Sequence, residues 1–202
     1  MPPHASAGAP APYAIHRVPT SLIETLRLKD GRSVLVRPVL PQDAELQQSF
    51  VRMLSPLSRR RRFHAPIAEL PSSTLRYMTE VDYESHLALL AEVFVDGVAR
   101  QVAEARWVRR SDEPGTADFA LAVADDWQRS GLGTCLLRRL QDSACLHGVR
   151  RLYGDVLVSN QPMAEFLRRA GWELRRDPQD LSALCAEIEL LNPAAAEFRE
   201  AA

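Results

Sequence analysis

Cysteine is scarce in this chain: three in 202 residues, Cys135, Cys145 and Cys185. The number is odd, with no Cys-x-x-Cys pair and no histidine at zinc-ligand spacing. That excludes a disulfide framework and predicts three buried, reduced thiols. The five histidines (His4, His16, His64, His86, His147) form no metal pattern, so no metal is expected. Net charge is lacking too: 25 Lys+Arg against 26 Asp+Glu leaves −1, which argues against a nucleic-acid or anionic-membrane partner. No apolar run approaches the ~18 residues of a membrane span; the run from Leu87 to Ala91 stops at Glu92. The first twenty residues lack the apolar core of a secretory signal peptide, so a cytoplasmic protein is expected. What is present, 46% hydrophobic and 25% charged residues, is ordinary globular composition.

Residues 1–20 hold five of the 14 prolines and read as a Pro/Ala-rich tail. Residues 21–192 form one domain, and 193–202 a C-terminal extension. Asp30-Gly31 and Asp96-Gly97 lie between β-prone runs and predict tight hairpins. A helix should follow Pro41, burying Leu46, Phe50, Met53 and Leu54. A strand over 117–124 leads through a loop into a helix from Gly131 to about His147, with Leu132, Leu136, Leu140 and Ala144 inward at four-residue spacing. A strand over 151–158 precedes a helix capped by Asn160, with Pro162 in its first turn and Gly171 at its end. Two short strands complete the order, which implies a mixed sheet with helices packed on it.

The richest segment is the loop after the 117–124 strand, Gln128-Arg129-Ser130-Gly131-Leu132-Gly133 followed by Thr134. The opening turn of a helix has free N–H groups and a partial positive charge, suited to a phosphate or pyrophosphate. Glycine at 131 and 133 lets main chain approach such a ligand, and Arg129 adds a charge-assisted contact. A dinucleotide fingerprint would need a third glycine where Leu136 stands, and a P-loop needs Gly-Lys-Ser/Thr.

Gln-x-x-Gly-x-Gly between a strand and a helix resembles the acetyl-CoA pyrophosphate signature of the GNAT superfamily of N-acyltransferases. Asn160 followed by Gly171-Trp172 is similar to that family's second motif. Val36-Arg37-Pro38, Asp43, Leu54-Ser55, Arg62-Phe63, Asp82-Tyr83 and Ala88-Leu89 resemble landmarks of bacterial Pat-type protein lysine acetyltransferases, over roughly residues 28–191. Larger Pat-type proteins carry a second domain, for which this length leaves no room.

The resemblance implies an α/β (α+β) GNAT fold. Its sheet is mixed, mostly antiparallel and twisted, with about six to seven strands, helices on both faces and a splay between the family's fourth and fifth strands at a bulge. It implies acetyl-CoA as cosubstrate, held by Val123 (through its main chain), Gln128, Arg129, Ser130, Gly131, Leu132, Gly133, Thr134 and Asn160. The acceptor is a primary amine, of a protein lysine or a small molecule, acting in a monomer or homodimer. An acyl-CoA sensor without turnover is the alternative. Asp118 shares a strand face with Ala120 and Ala122 and stands where Pat-type sequences tend to have glutamate as catalytic base; one methylene shorter, it suits a water relay, and a strand-end aspartate capping a turn is its plainer reading. Glu104 on the neighbouring strand is the second candidate, with a solvated strand-face charge as its plainer reading. Many superfamily members place a proton-donating tyrosine where this chain has Leu167.

Overall fold

In the computed structural model, residues 17–190 are described. Eight strands form one sheet: β1 (Glu24–Arg27), β2 (Ser33–Pro38), β3 (His86–Val95), β4 (Val98–Arg109), β5 (Thr116–Val123), β6 (Arg151–Leu157), β7 (Glu173–Arg176) and β8 (Ala183–Glu189). Their order is β1-β2-β3-β4-β5-β6-β8-β7, and every pair is antiparallel except β5–β6. The sheet is thus slightly wider than the six to seven strands expected, because the short β1 and β7 both pair at its edges.

Both Asp-Gly turns form as expected. Gly31 sits at φ 85°, while Asp96 and Gly97 both take positive φ between β3 and β4. Five helices cover the sheet: α1 (Ala44–Met53), α2 (Pro56–Phe63), α3 (Ser72–Thr79), α4 (Leu132–Leu146) and α5 (Gln161–Arg169). On one face α4 buries Leu132, Leu136, Leu140 and Ala144 against Ala103, Ala105, Trp107 and Leu121. On the other, Phe50, Val51 and Leu54 pack with Leu70, Met78, Ala122 and Ala124. Strand alternation supplies both cores from the same strands, because successive side chains point to opposite faces. Met53, expected inward, is instead half exposed, and the three cysteines are half-buried, in no disulfide, rather than core residues.

Most of the expected tail and all of the 193–202 extension lie outside the described residues. The tail's last residues belong with the domain: Val18 packs against the main core, and a single 3-10 turn spans Thr20–Leu22.

Candidate active site

The sheet opens between β5 and β6. These strands pair over only Thr116↔Arg151, Ala117↔Leu152 and Asp118↔Tyr153, then separate. The cause lies at Gly154. A Cβ there would stand 2.5 Å from Cε1 of Phe119 and 3.2 Å from its main-chain oxygen, so the Phe119 ring wedges where a side chain would otherwise be. That ring packs against Trp172, centroids 4.3 Å apart and planes tilted by 47°. The expected bulge is not at the splay: the β4–β5 ladder runs regularly from Arg109↔Ala117 to Ala103↔Val123, and the sheet's register shift is in β3–β4 at Ala91/Glu92. Ala124 N–H donates to the Val102 oxygen at 2.8 Å. Antiparallel alternation therefore turns the main chains of Leu121 and Val123 away from β4, toward the gap.

The loop after β5 bends through Arg129 (φ 61°) and Gly131 (φ 91°) into α4. Space around Gly131 is adequate, since a Cβ would meet only the Lys29 stem at 3.9 Å; the left-handed backbone is what demands glycine. Ser130 Oγ donates to the Trp127 oxygen at 2.6 Å and accepts from Leu132 N–H at 3.3 Å. No protein acceptor among the described residues meets the Gly133 and Thr134 amides, so the α4 N-terminus presents free donors. Two braces hold the loop. Arg32 lies 3.9 Å over the Trp127 ring, and Asp125 accepts from Ser55 and Ser58 hydroxyls at 3.0 and 2.7 Å, tying the loop to the start of α2.

A cleft of about 900 Å³ extends from this helix end along β5. Val123, Gln128, Arg129, Gly131, Gly133, Thr134 and Asn160, all expected here, line it. Ser130 and Leu132 do not: the hydroxyl braces the turn, and Leu132 is fully buried in the core. Asn160 caps α5, accepting from Met163 N–H, while facing the cleft. Five further cations line the walls, Lys29, Arg61, Arg62, Arg138 and Arg169, against one carboxylate, Glu165. Lys29 comes from the β1–β2 hairpin, and nothing in its local sequence marked it. Arg61 and Arg62 belong to the Arg59–Arg62 run, whose sequence reads first as a solvated helix face and second as a border of the acceptor entrance.

A second cavity of about 450 Å³ lies across the splay and shares Arg61, Arg62, Leu121, Asn160 and Met163 with the first. Asp118, Tyr153 and Asp155 are on its wall. Half of the Asp118 side chain is open to solvent, and its carboxylate pairs with Arg110 Nε at 3.1 Å. Partial desolvation, with Asp155 and Asp112 nearby, outweighs Arg110 and raises its pKa. The Tyr153 hydroxyl reaches Asp155 Oδ1 at 2.9 Å and Cys185 Sγ at 3.0 Å. Burial and those two bonds push its pKa up, keeping the phenol protonated. Asp155, Asp177 and Cys185 bring three donor atoms within 4.8 Å of one another, two of them already engaged by that hydroxyl.

Glu104 is not a solvated strand-face charge. It is 1% exposed, with Oε1 on Arg62 Nε at 2.8 Å and Oε2 on Arg106 Nη2 at 2.9 Å. Burial alone would raise its pKa; the two guanidinium groups prevail and hold it below the usual value. Arg106 also contacts His86 Nε2 at 3.2 Å, and burial followed by that cation lowers the His86 pKa to about 4. Leu167 is fully buried and Tyr83 donates its hydroxyl to the Val39 oxygen at 2.8 Å. Neither offers a proton donor to the cavities.

A strand edge, an open helix N-terminus and two cavities meeting at a splay define the class, which comparison with known proteins makes specific. The profile of the acetyltransferase (GNAT) family matches residues 58–172. An acetyltransferase of Pseudomonas aeruginosa is 34% identical over 163 residues, 81% of this chain and 87% of its own length. Acetyltransferase Pat of Mycolicibacterium smegmatis is 31% identical over 166 residues, 82% of this chain; the chain spans about half of that relative (48%). The GNAT domain of S. lividans PAT superposes with a TM-score of 0.78 at 26% identity, covering 86% of this chain and 100% of that domain. The chain belongs to the acetyltransferase (GNAT) family, whose members use acetyl-CoA and amine acceptors. Among the described residues no helix is long and apolar enough to cross a membrane.

Proposed function

We propose that the chain transfers the acetyl group of acetyl-CoA directly to a primary amine within a ternary complex. The observation that carries this is the meeting, at the splay, of a cation-lined cleft with a second cavity whose wall includes Asp118 and Asp155. The free amides and cations at the α4 N-terminus suit a pyrophosphate. The outward main chain of Leu121 and Val123 suits an amide-bearing arm lying beside β5 as an added strand. The amine enters through the second cavity. Its nitrogen forms the C–N bond, the C–S bond breaks, and CoA leaves as a thiolate, whose ordinary pKa near ~8.5 requires no dedicated acid. That fits the buried Leu167.

An amine with the lysine pKa of ~10.4 arrives as ammonium, so a base is needed. Asp118 is that base, at the cavity wall with a raised pKa. Similarity to the Pat domain favours a protein lysine as acceptor. Release of CoA thiol with lysine peptides and a panel of small amines tests the reading. Asp118→Asn should lower kcat by about 10²–10⁴ with acetyl-CoA affinity retained. Its carboxylate works only when ionised, so the wild-type rate should fall as pH drops through a pKa above the ordinary aspartate value. Binding of acetyl-CoA without thiol release for any amine would favour a sensor, and wild-type turnover in Asp118→Asn would remove the base.

A further inference from the structure

Arg62 stands where the two cavities meet. Its side chain is 14% exposed and lines both. Only Nε is engaged, donating to Glu104; no protein acceptor among the described residues meets the four N–H groups on its two terminal nitrogens. The guanidinium lies over the Phe63 ring at 4.8 Å. Arg61 lines the same junction, but its buried Nε has no hydrogen-bond partner and no carboxylate fixes it.

The setting of Glu104 explains why Arg62 points there. Glu104 faces Ala122 across the β4–β5 ladder, between the register positions of Leu121 and Val123, whose main chains border the gap. The small residues Ala120 and Ala122 allow α2 to approach β5 closely. With Arg106 on the other oxygen, the group holds one carboxylate and two guanidinium ions. It carries a net positive charge beside the splay, in surroundings where a fixed donor is stronger than in water.

We infer that Arg62 is a catalytic residue, the donor that polarises the thioester carbonyl and holds the oxyanion formed from it, and that Glu104 is its positioning residue. This rests on the reading of the two cavities given above. When the amine nitrogen bonds to the carbonyl carbon, the C=O π pair moves onto oxygen; a terminal N–H of Arg62 hydrogen-bonds that oxygen without giving up its proton. Asp118 takes one proton from the ammonium before the attack; reformation of C=O then expels the thiolate, which accepts the second N–H proton and departs as CoA thiol. A cation that only bound phosphate would act on affinity, whereas this role acts on kcat.

The test uses the full chain and acetyl-CoA labelled with ¹³C at the carbonyl. In isotope-edited infrared spectra the bound thioester band should lie at lower frequency in wild type than in Arg62→Met. Acetyl-CoA affinity should agree within about threefold, and kcat should fall by about 10²–10³. Arg62→Lys keeps a cation against Glu104 but loses the planar fork, so it guards against a folding artefact and should lose most of kcat too. An unshifted band, wild-type kcat in either variant, or a loss confined to affinity overturns the role of Arg62 while leaving the two-cavity reading intact. Absence of acetyl-CoA binding to the wild type overturns both.

Discussion

Two partly buried arginines at nearly equal exposure, Arg37 at 16% and Arg62 at 14%, tie surface segments to the sheet in opposite ways. Arg37 makes five hydrogen bonds, two to Asp43, two to Glu92 and one to the Pro38 oxygen, inside a group of net negative charge. Its two carboxylates overcome burial and raise its pKa. Arg62 uses one donor and belongs to a group of net positive charge. Burial alone does not separate a clamp from a site; the count of unused donors and the sign of the surplus charge do.

The most severe way to probe that contrast is Arg37→Met, which strips the counter-charge from two buried carboxylates. Chemical denaturation should show a loss of about 3–5 kcal/mol, with turnover per folded molecule nearly unchanged. Next comes acid. His86, packed against Arg106, the Tyr77 ring and the Asp82 and Glu104 charges, stays neutral down to about pH 4, while the unfolded chain protonates near 6.5. The unfolded state then binds the extra proton, so stability should fall as pH drops from 6.5 to about 4, by on the order of 3 kcal/mol. His86→Gln should flatten that slope; an unchanged slope would place the sensitivity elsewhere. Smallest should be the stability cost of Arg62→Met, about 1–2 kcal/mol, because Glu104 keeps Arg106 as a partner. If it equals the cost of Arg37→Met, the two clusters are both clamps.

Local chemistry carried much of the fold. The Asp-Gly pairs require positive φ and form turns, and the four-residue spacing of Leu132, Leu136, Leu140 and Ala144 marks the buried stripe of α4. The glycine loop was legible because its conformation is local, although Ser130 and Leu132 serve the fold beneath it. What escaped was built by tertiary contact. Lys29 reaches Gly131 from a distant hairpin, and Arg62 is drawn inward by a glutamate 42 residues further along the chain. The splay depends on Phe119 meeting Gly154 just beyond the last parallel pair, an encounter that neither strand encodes alone. Charge runs read as solvated because most are; a buried counter-ion far along the chain leaves no local trace.

Lys29 is the chain's sole lysine, every other long cationic side chain being arginine. Guanidinium groups do not surrender a proton at neutral pH and make poor acyl acceptors. Self-modification of a side-chain amine therefore has one address, on the wall of the larger cleft. Amine-reactive labelling of that single position becomes a footprint of whether the cleft is filled, and acetyl-lysine found elsewhere in a reaction mixture belongs to the acceptor.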